Sequence, residues 1–229
     1  MNEILKAAHV EKQAVGADDL AQINKQTLRE LKAEEVFTFR LAACDNQPDR
    51  DHERFTDAAL EQLASMFVGK TVLMDHSWSA ASQTARVYSA GVESRGEAKQ
   101  LVLRCYIPRT DAMADTIAAI ETGILRECSV GCAMGSAVCS ICGADQMKTY
   151  CEHRPGHTYD GQLCVMALDA PQDAYEVSFV AVPAQPDAGI LKSKRYGGPD
   201  KPETPKPDPE TQRMAEAMQE QETRRYGGI

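Results

Sequence analysis

Eight cysteines in a 229-residue chain are the first chemistry on offer, and four of them fall between positions 139 and 164. Cys139-Ser140-Ile141-Cys142-Gly143 has the form of a thiolate knuckle: two sulfurs two residues apart can reach one ion, and a glycine after the second relieves the tight turn. Cys151-Glu152-His153 adds a thiolate and an imidazole. Cys139, Cys142, Cys151 and His153 together make a Cys₃His set, which would close a tetrahedral structural zinc site and leave no coordination position for catalysis. His157 and Cys164 lie just beyond and are alternatives to His153 as the fourth ligand. Cys44, Cys105, Cys128 and Cys132 have no such neighbours and read as small buried hydrophobes.

A second set of residues has the types needed for acyl transfer. His76 follows the apolar run Thr71-Val72-Leu73-Met74, which would set an imidazole at a strand end. In Glu127-Cys128-Ser129-Val130-Gly131-Cys132, strand alternation turns Cys128, Val130 and Cys132 to the core and Ser129 and Gly131 to the other face, where Gly131 would leave room for a substrate backbone. In Tyr175-Glu176-Val177-Ser178-Phe179 the same alternation buries Tyr175, Val177 and Phe179 and aligns Glu176 with Ser178. Taken alone, Glu176 suits a solvated strand face, because a carboxylate is costly to bury without a partner such as an imidazole N–H. Ser178 is a rival nucleophile to Ser129. Asp75 is a poor partner for His76, since neighbouring strand residues point to opposite faces.

The elements that would position these groups can be read from periodicity. Residues 1–35 form a polar helical arm, with Asp18 and Asp19 as caps and Leu20, Ile23, Leu28 and Leu31 at near-helical spacing. Val36 begins a domain running to Leu191. It opens with a strand through Leu41, then a helix capped by Thr56 that carries Ala59, Leu60, Leu63, Ala64 and Phe67 and stops at Gly69. Strands follow at 85–92 and 100–107, then a helix over 111–121 with Ala112, Ile117 and Ile120 inward and Gly123 as its stop. The cysteine-rich insertion occupies about 139–164. Residues 192–229 read as a flexible tail, since five of the eleven residues from Pro199 to Pro209 are proline. The tetrapeptide Arg-Tyr-Gly-Gly stands at 195–198 and again at 225–228, by coincidence or as equivalent processing or docking sites.

Composition narrows the partners. With 25 Lys+Arg against 34 Asp+Glu, the net charge of −9 offers no positive field for a phosphate backbone, so nucleic acid is not expected. No window approaches the roughly 20 apolar residues of a membrane span, and Met1 to Lys6 lacks the apolar segment of a signal peptide, which reads as a soluble intracellular protein.

Asp75-His76 after an apolar strand, Gly123-Ile124-Leu125 leading into Cys128-Ser129-Val130-Gly131, and Tyr175 to Val180 followed by Pro183-Ala184 and Ala188-Gly189-Ile190 occur in an order and spacing that resembles the tailed-phage prohead proteases. These are serine proteases that mature procapsids and share a fold with the herpesvirus assemblins. The resemblance covers about 36–191 and implies an α+β fold, a mainly antiparallel β-barrel with flanking helices, here carrying a zinc-knuckle insertion. It implies Ser129 as nucleophile, His76 as general base and acid, and Glu176 as the group that orients His76. It also implies capsid and scaffold proteins as substrates, self-cleavage, and action inside the procapsid in the host cytoplasm, with the oligomeric state, monomer or homo-oligomer, left open. The rival readings are a non-catalytic, zinc-stabilised assembly or scaffolding protein and a metallohydrolase built on the cysteine cluster.

Overall fold

The computed structural model describes residues 15–185 and 188–190; the proline-rich tail, both Arg-Tyr-Gly-Gly copies and the first fourteen residues of the arm lie outside them. Helix α1, Ala17–Asn24, lays its inner side on the domain, with Ile23 fully buried beside Val36, Tyr88 and Tyr106. Two details differ from the sequence reading. The N-cap is Gly16, so Asp18 and Asp19 sit in the first turn, where they favour the helix dipole without capping. Leu28 is fully exposed, because the helix ends at Asn24 and the chain beyond no longer follows its period.

The body is α+β, built on a mixed sheet. Its strands are β1 (Val36–Asp45), β2 (Glu53–Phe55), β3 (Thr71–Met74), β4 (Ala85–Arg95), β5 (Ala98–Pro108), β6 (Cys128–Cys139), β9 (Met166–Phe179) and β10 (Gly189–Ile190), with the small hairpin β7 (Thr158–Tyr159) and β8 (Gln162–Leu163) apart. The order is β10-β1-β5-β4-β3-β9-β2, and β6 lies along the other edge of β9. Only β2 and β3 run parallel to their partner β9; the remaining pairs are antiparallel. The sheet bends back on itself, because Glu127, just before β6, bridges to Gly189 of β10.

Helix α2, Asp57–Phe67, fills the core. Thr56 caps it by accepting from the Ala59 N–H at 3.1 Å, and Ala59, Leu60, Leu63, Ala64 and Phe67 are buried as their spacing requires. Each of the larger three contributes roughly 1.5–3 kcal/mol by leaving water. Gly69 (φ +85°) and Gly123 (φ +78°) take the left-handed conformation that ends α2 and α3 (Ala114–Thr122). The predicted helix over 111–121 starts with a 3₁₀ turn at Asp111–Met113, which leaves Ala112 exposed while Ile117 and Ile120 are buried.

Strands β6 and β9 are longer than their patterns suggest, at 12 and 14 residues. They form one hairpin whose far end is the cysteine-rich segment: Cys139 closes β6, and Cys164 stands two residues before β9. Two register shifts, at Gly131/Cys132 and Ala133/Met134, bulge β9 outward. The first makes Tyr175 the extra residue. Alternation alone would put Tyr175 in the core, but the bulge puts Ala174 there and leaves Tyr175 41% exposed against Trp78, with ring centroids 5.6 Å apart.

Candidate active site and metal centre

The chain leaves β3 at Met74 through a tight turn in which Asp75 and His76 both adopt φ +51°, closed by the Ser77 N–H to the Met74 carbonyl at 2.9 Å. Two consecutive non-glycine residues in this region cost of order 1–3 kcal/mol each, and such strain gathers where side-chain placement matters. The turn is held by two bonds to β9: the Asp75 N–H donates to the Phe179 carbonyl at 2.9 Å, and the His76 N–H donates to Ser178 Oγ at 3.1 Å. Asp75 is exposed and stands after the end of β3 with the backbone already turned left-handed, so strand alternation does not apply to it.

His76 Nδ1 lies 2.8 Å from Glu176 Oε1, and the second carboxylate oxygen accepts from Ser178 Oγ. The Glu176 side chain is 3% exposed and that of His76 41%. The wet strand face that the sequence alone suggested for Glu176 does not exist: the turn after β3 covers it and supplies the imidazole. A carboxylate only accepts, so Nδ1 carries the proton and Nε2 is left as the basic nitrogen.

Ser129 pairs across the β6/β9 ladder with Ser178, and Gly131 pairs with Glu176, so all four side-chain positions share one face. Ser178 is fully buried and its hydroxyl is committed on both sides, which removes it as a nucleophile and makes it a clamp between the His76 backbone and the Glu176 carboxylate. The pairing with Glu176 was legible as strand alternation; the clamp was not, because it depends on a backbone N–H from another strand's turn. Ser129 is partly exposed and lines a cleft of about 390 Å³.

Gly131 has a different use from the one its neighbours suggested. A Cβ there would stand 2.5 Å from Glu176 Oε1, so the space is taken by the carboxylate and not by a substrate backbone. Gly131→Ala should push Glu176 off His76, costing about 1–3 kcal/mol of stability. A displacement of that kind at a positioned group is expected to slow any reaction using His76 by roughly 10²-fold. Thermal melting and cleavage rate measured together check it.

At the far end of the hairpin, the ligand atoms of Cys139, Cys142, Cys151 and His153 all lie within 4.8 Å of one another, an arrangement compatible with a structural metal such as zinc. The local backbone suits a metal-bound thiolate: the Ile141 N–H donates to Cys139 Sγ at 3.4 Å, and Gly143 turns at φ +73°. Burial alone would push the Cys139 thiol up, but N–H groups of Cys142 and Ile141 and the neighbouring thiols outweigh it and bring it down to about 6. Cys164 Sγ is 3.8 Å from Cys139 Sγ and buried, but it is not among the four residues whose ligand atoms all lie within 4.8 Å of one another. His157 is outside the cluster and exposed. Asp145 ties the loop to β6 by accepting from the Ala137 N–H and Ser136 Oγ, each at 3.1 Å.

The other four cysteines pack in or against the core. Burial raises all their thiols, Cys128 to about 12 and Cys132 to about 11, the latter helped by the Glu53 charge. No described helix is long and apolar enough to cross a membrane. No family model, curated protein or solved structure matches the chain.

Proposed function

We propose that this protein is a serine endopeptidase of the prohead-protease type, with Ser129 as nucleophile, His76 as base and Glu176 as the group that orients it. The observation that carries the reading is the 2.8 Å contact of His76 with the buried Glu176 carboxylate, with Ser129 set directly across the sheet from Ser178, the residue that holds both. A buried carboxylate spending one oxygen on an imidazole beside a partly exposed serine is an expensive arrangement for stability alone. In the reaction, His76 Nε2 takes the Ser129 proton as Oγ attacks the scissile carbonyl. It then returns that proton to the leaving amine, while Glu176 stabilises the imidazolium. Water hydrolyses the acyl-enzyme with the same base.

The bent sheet with its Glu127–Gly189 bridge supports the finer reading of a herpesvirus-protease-like barrel. A zinc ion held by Cys139, Cys142, Cys151 and His153 would pin the tip of the β6–β9 hairpin. Ser129 and Cys139 are ten residue steps apart along β6, about 30 Å of strand, which favours a structural ion over a metallohydrolase. The substrates in this reading are the capsid and scaffold proteins of an assembling phage head, and the chain itself.

The test is intact-protein mass over time for wild type and Ser129→Ala, each incubated with the capsid and scaffold proteins encoded beside it. Defined fragments from wild type alone are expected. Identical fragments from both would remove Ser129 from the chemistry. Assembly without any cutting, lost when Cys139 is replaced, would mark a scaffolding protein instead.

A further inference from the structure

The short β7–β8 hairpin follows the ligands Cys151 and His153 and reaches both halves of the metal centre. Asp160 (φ +50°) and Gly161 (φ +80°) join its two strands, both in the left-handed region that a two-residue type I′ loop requires, and Asp-Gly is a favoured sequence for that loop. The second arm is sewn to the knuckle. The Ser140 N–H donates to the Val165 carbonyl at 3.0 Å, the Ser140 hydroxyl donates to the Leu163 carbonyl at 3.3 Å, and Gln162 Nε2 donates to the Ser140 carbonyl at 3.1 Å. The first arm brings Tyr159 against His153.

The two rings are perpendicular, with centroids 4.5 Å apart and planes at 89°. The Tyr159 hydroxyl accepts from the Arg154 N–H at 3.0 Å, and the residue packs against the buried cluster of Cys139, Cys164 and Met166. Tyr159 is thus fixed at its tip as well as along its body. The His153 carbonyl accepts from Gln146 Nε2 at 3.1 Å, which anchors the backbone and leaves the setting of the imidazole plane to Tyr159.

In that plane Nδ1 faces the sulfurs. It lies 3.3 Å from Cys151 Sγ, which is itself 3.4 Å from Cys142 Sγ. A tetrahedral zinc, with bonds of about 2.3 Å to sulfur and about 2.0 Å to nitrogen, holds a thiolate and an imidazole nitrogen about 3.5 Å apart, so Nδ1 already stands at ligand spacing. Nδ1 is also the ring nitrogen nearer the backbone, which suits two ligands with a single residue, Glu152, between them.

Resting on the reading that zinc occupies this cluster, we infer that Tyr159 is a positioning residue of the metal centre: from outside the ligand set it holds the His153 ring so that Nδ1 binds the ion and Nε2 keeps the proton. Partners just outside the ligands fix the tautomer and orientation of a ligating histidine, and here a packed aromatic ring sets its plane. The hairpin then belongs to the centre, tying the Cys139–Cys142 knuckle to the Cys151–His153 pair.

The experiment uses full-length, zinc-loaded protein with labelled histidine, reads the ring nitrogens of His153 by proton–nitrogen correlation spectra, and measures zinc affinity by chelator competition. Wild type is expected to show Nδ1 bound to the metal and the proton on Nε2. Tyr159→Leu should weaken zinc binding by ~10-fold or more, the scale of losing a partner just outside the ligands, and should lose the single Nδ1-bound state. Tyr159→Phe keeps the ring and gives up only the Arg154 bond, so it should retain that state with an affinity nearer wild type. Binding through Nε2 in wild type, or a Tyr159→Leu variant with wild-type affinity and Nδ1 still bound, would overturn the inference and leave the zinc site standing. Wild type that takes up no zinc, or His153→Ala that binds it as tightly as wild type, would remove the ligand set and the inference with it.

Discussion

Ser129→Ala should reduce proteolysis by on the order of 10⁶-fold, and Glu176→Gln by about 10⁴-fold, with both variants folded. The first follows, in the proposed mechanism, from removing the hydroxyl that would carry the acyl group; Ser178 is a poor substitute, being buried and bonded on both sides. The second follows from the tautomer. Glu176 fixes the proton on His76 Nδ1. A glutamine in its place fills the same space, but its amide N–H₂ can face Nδ1 and move the imidazole proton to Nε2, where the base is needed. The neutral amide also stabilises the imidazolium less. The variant keeps an acceptor for Ser178 Oγ, so melting should shift by only a few degrees, the scale of ~1 kcal/mol in a domain of this size. The measurement is the rate of capsid-protein cleavage by intact mass, with melting curves alongside. Undiminished cleavage by folded Glu176→Gln would dismiss the pair as a structural contact.

Removal of metal has the other large expected effect. The segment 140–163 has little core of its own: the buried cluster at its base is Cys139, Cys164 and Met166, with Ile141, Cys151 and Tyr159 against it. A structural zinc contributes binding free energy of about 10–16 kcal/mol near neutral pH, far more than so small a cluster can supply. Purified protein should therefore hold one zinc per chain. A strong chelator should open this segment to protease within 140–163 while α2 and the sheet stay folded. Cys139→Ser, Cys142→Ser and Cys151→Ser should each lose the metal, as should His153→Ala, whereas Cys164→Ser should keep it and lose only packing. Elemental analysis with limited proteolysis reads all of these. A chain without zinc that resists protease equally with and without chelator would contradict the site. Retention of zinc by His153→Ala with loss in Cys164→Ser would exchange the fourth ligand.

How far the site could be read in advance differs from residue to residue. The knuckle was legible because its ligands are close in sequence: Cys139 and Cys142 are joined by a backbone turn that Gly143 permits, whatever the rest of the fold does. Alternation correctly aligned Glu176 with Ser178 and Ser129 with Gly131, because strand period is a local property. It failed at Tyr175, where a register shift inserted one residue, and for Gly131, whose neighbour is a carboxylate from a different strand.

What the amino-acid order determined by itself was therefore local: the capped helix at Thr56, the left-handed stops at Gly69 and Gly123, the strand faces, and a cluster of thiols dense enough to hold an ion. Only the tertiary structure decided that Glu176 is buried, that Ser178 is a clamp, and that Gly131 makes room for the Glu176 carboxylate. The physical reason is range. Caps, turns and alternation are set by dihedral preferences over a few residues, whereas His76 and Glu176 meet across a separation of 100 residues through a strained turn that only packing against β9 can hold.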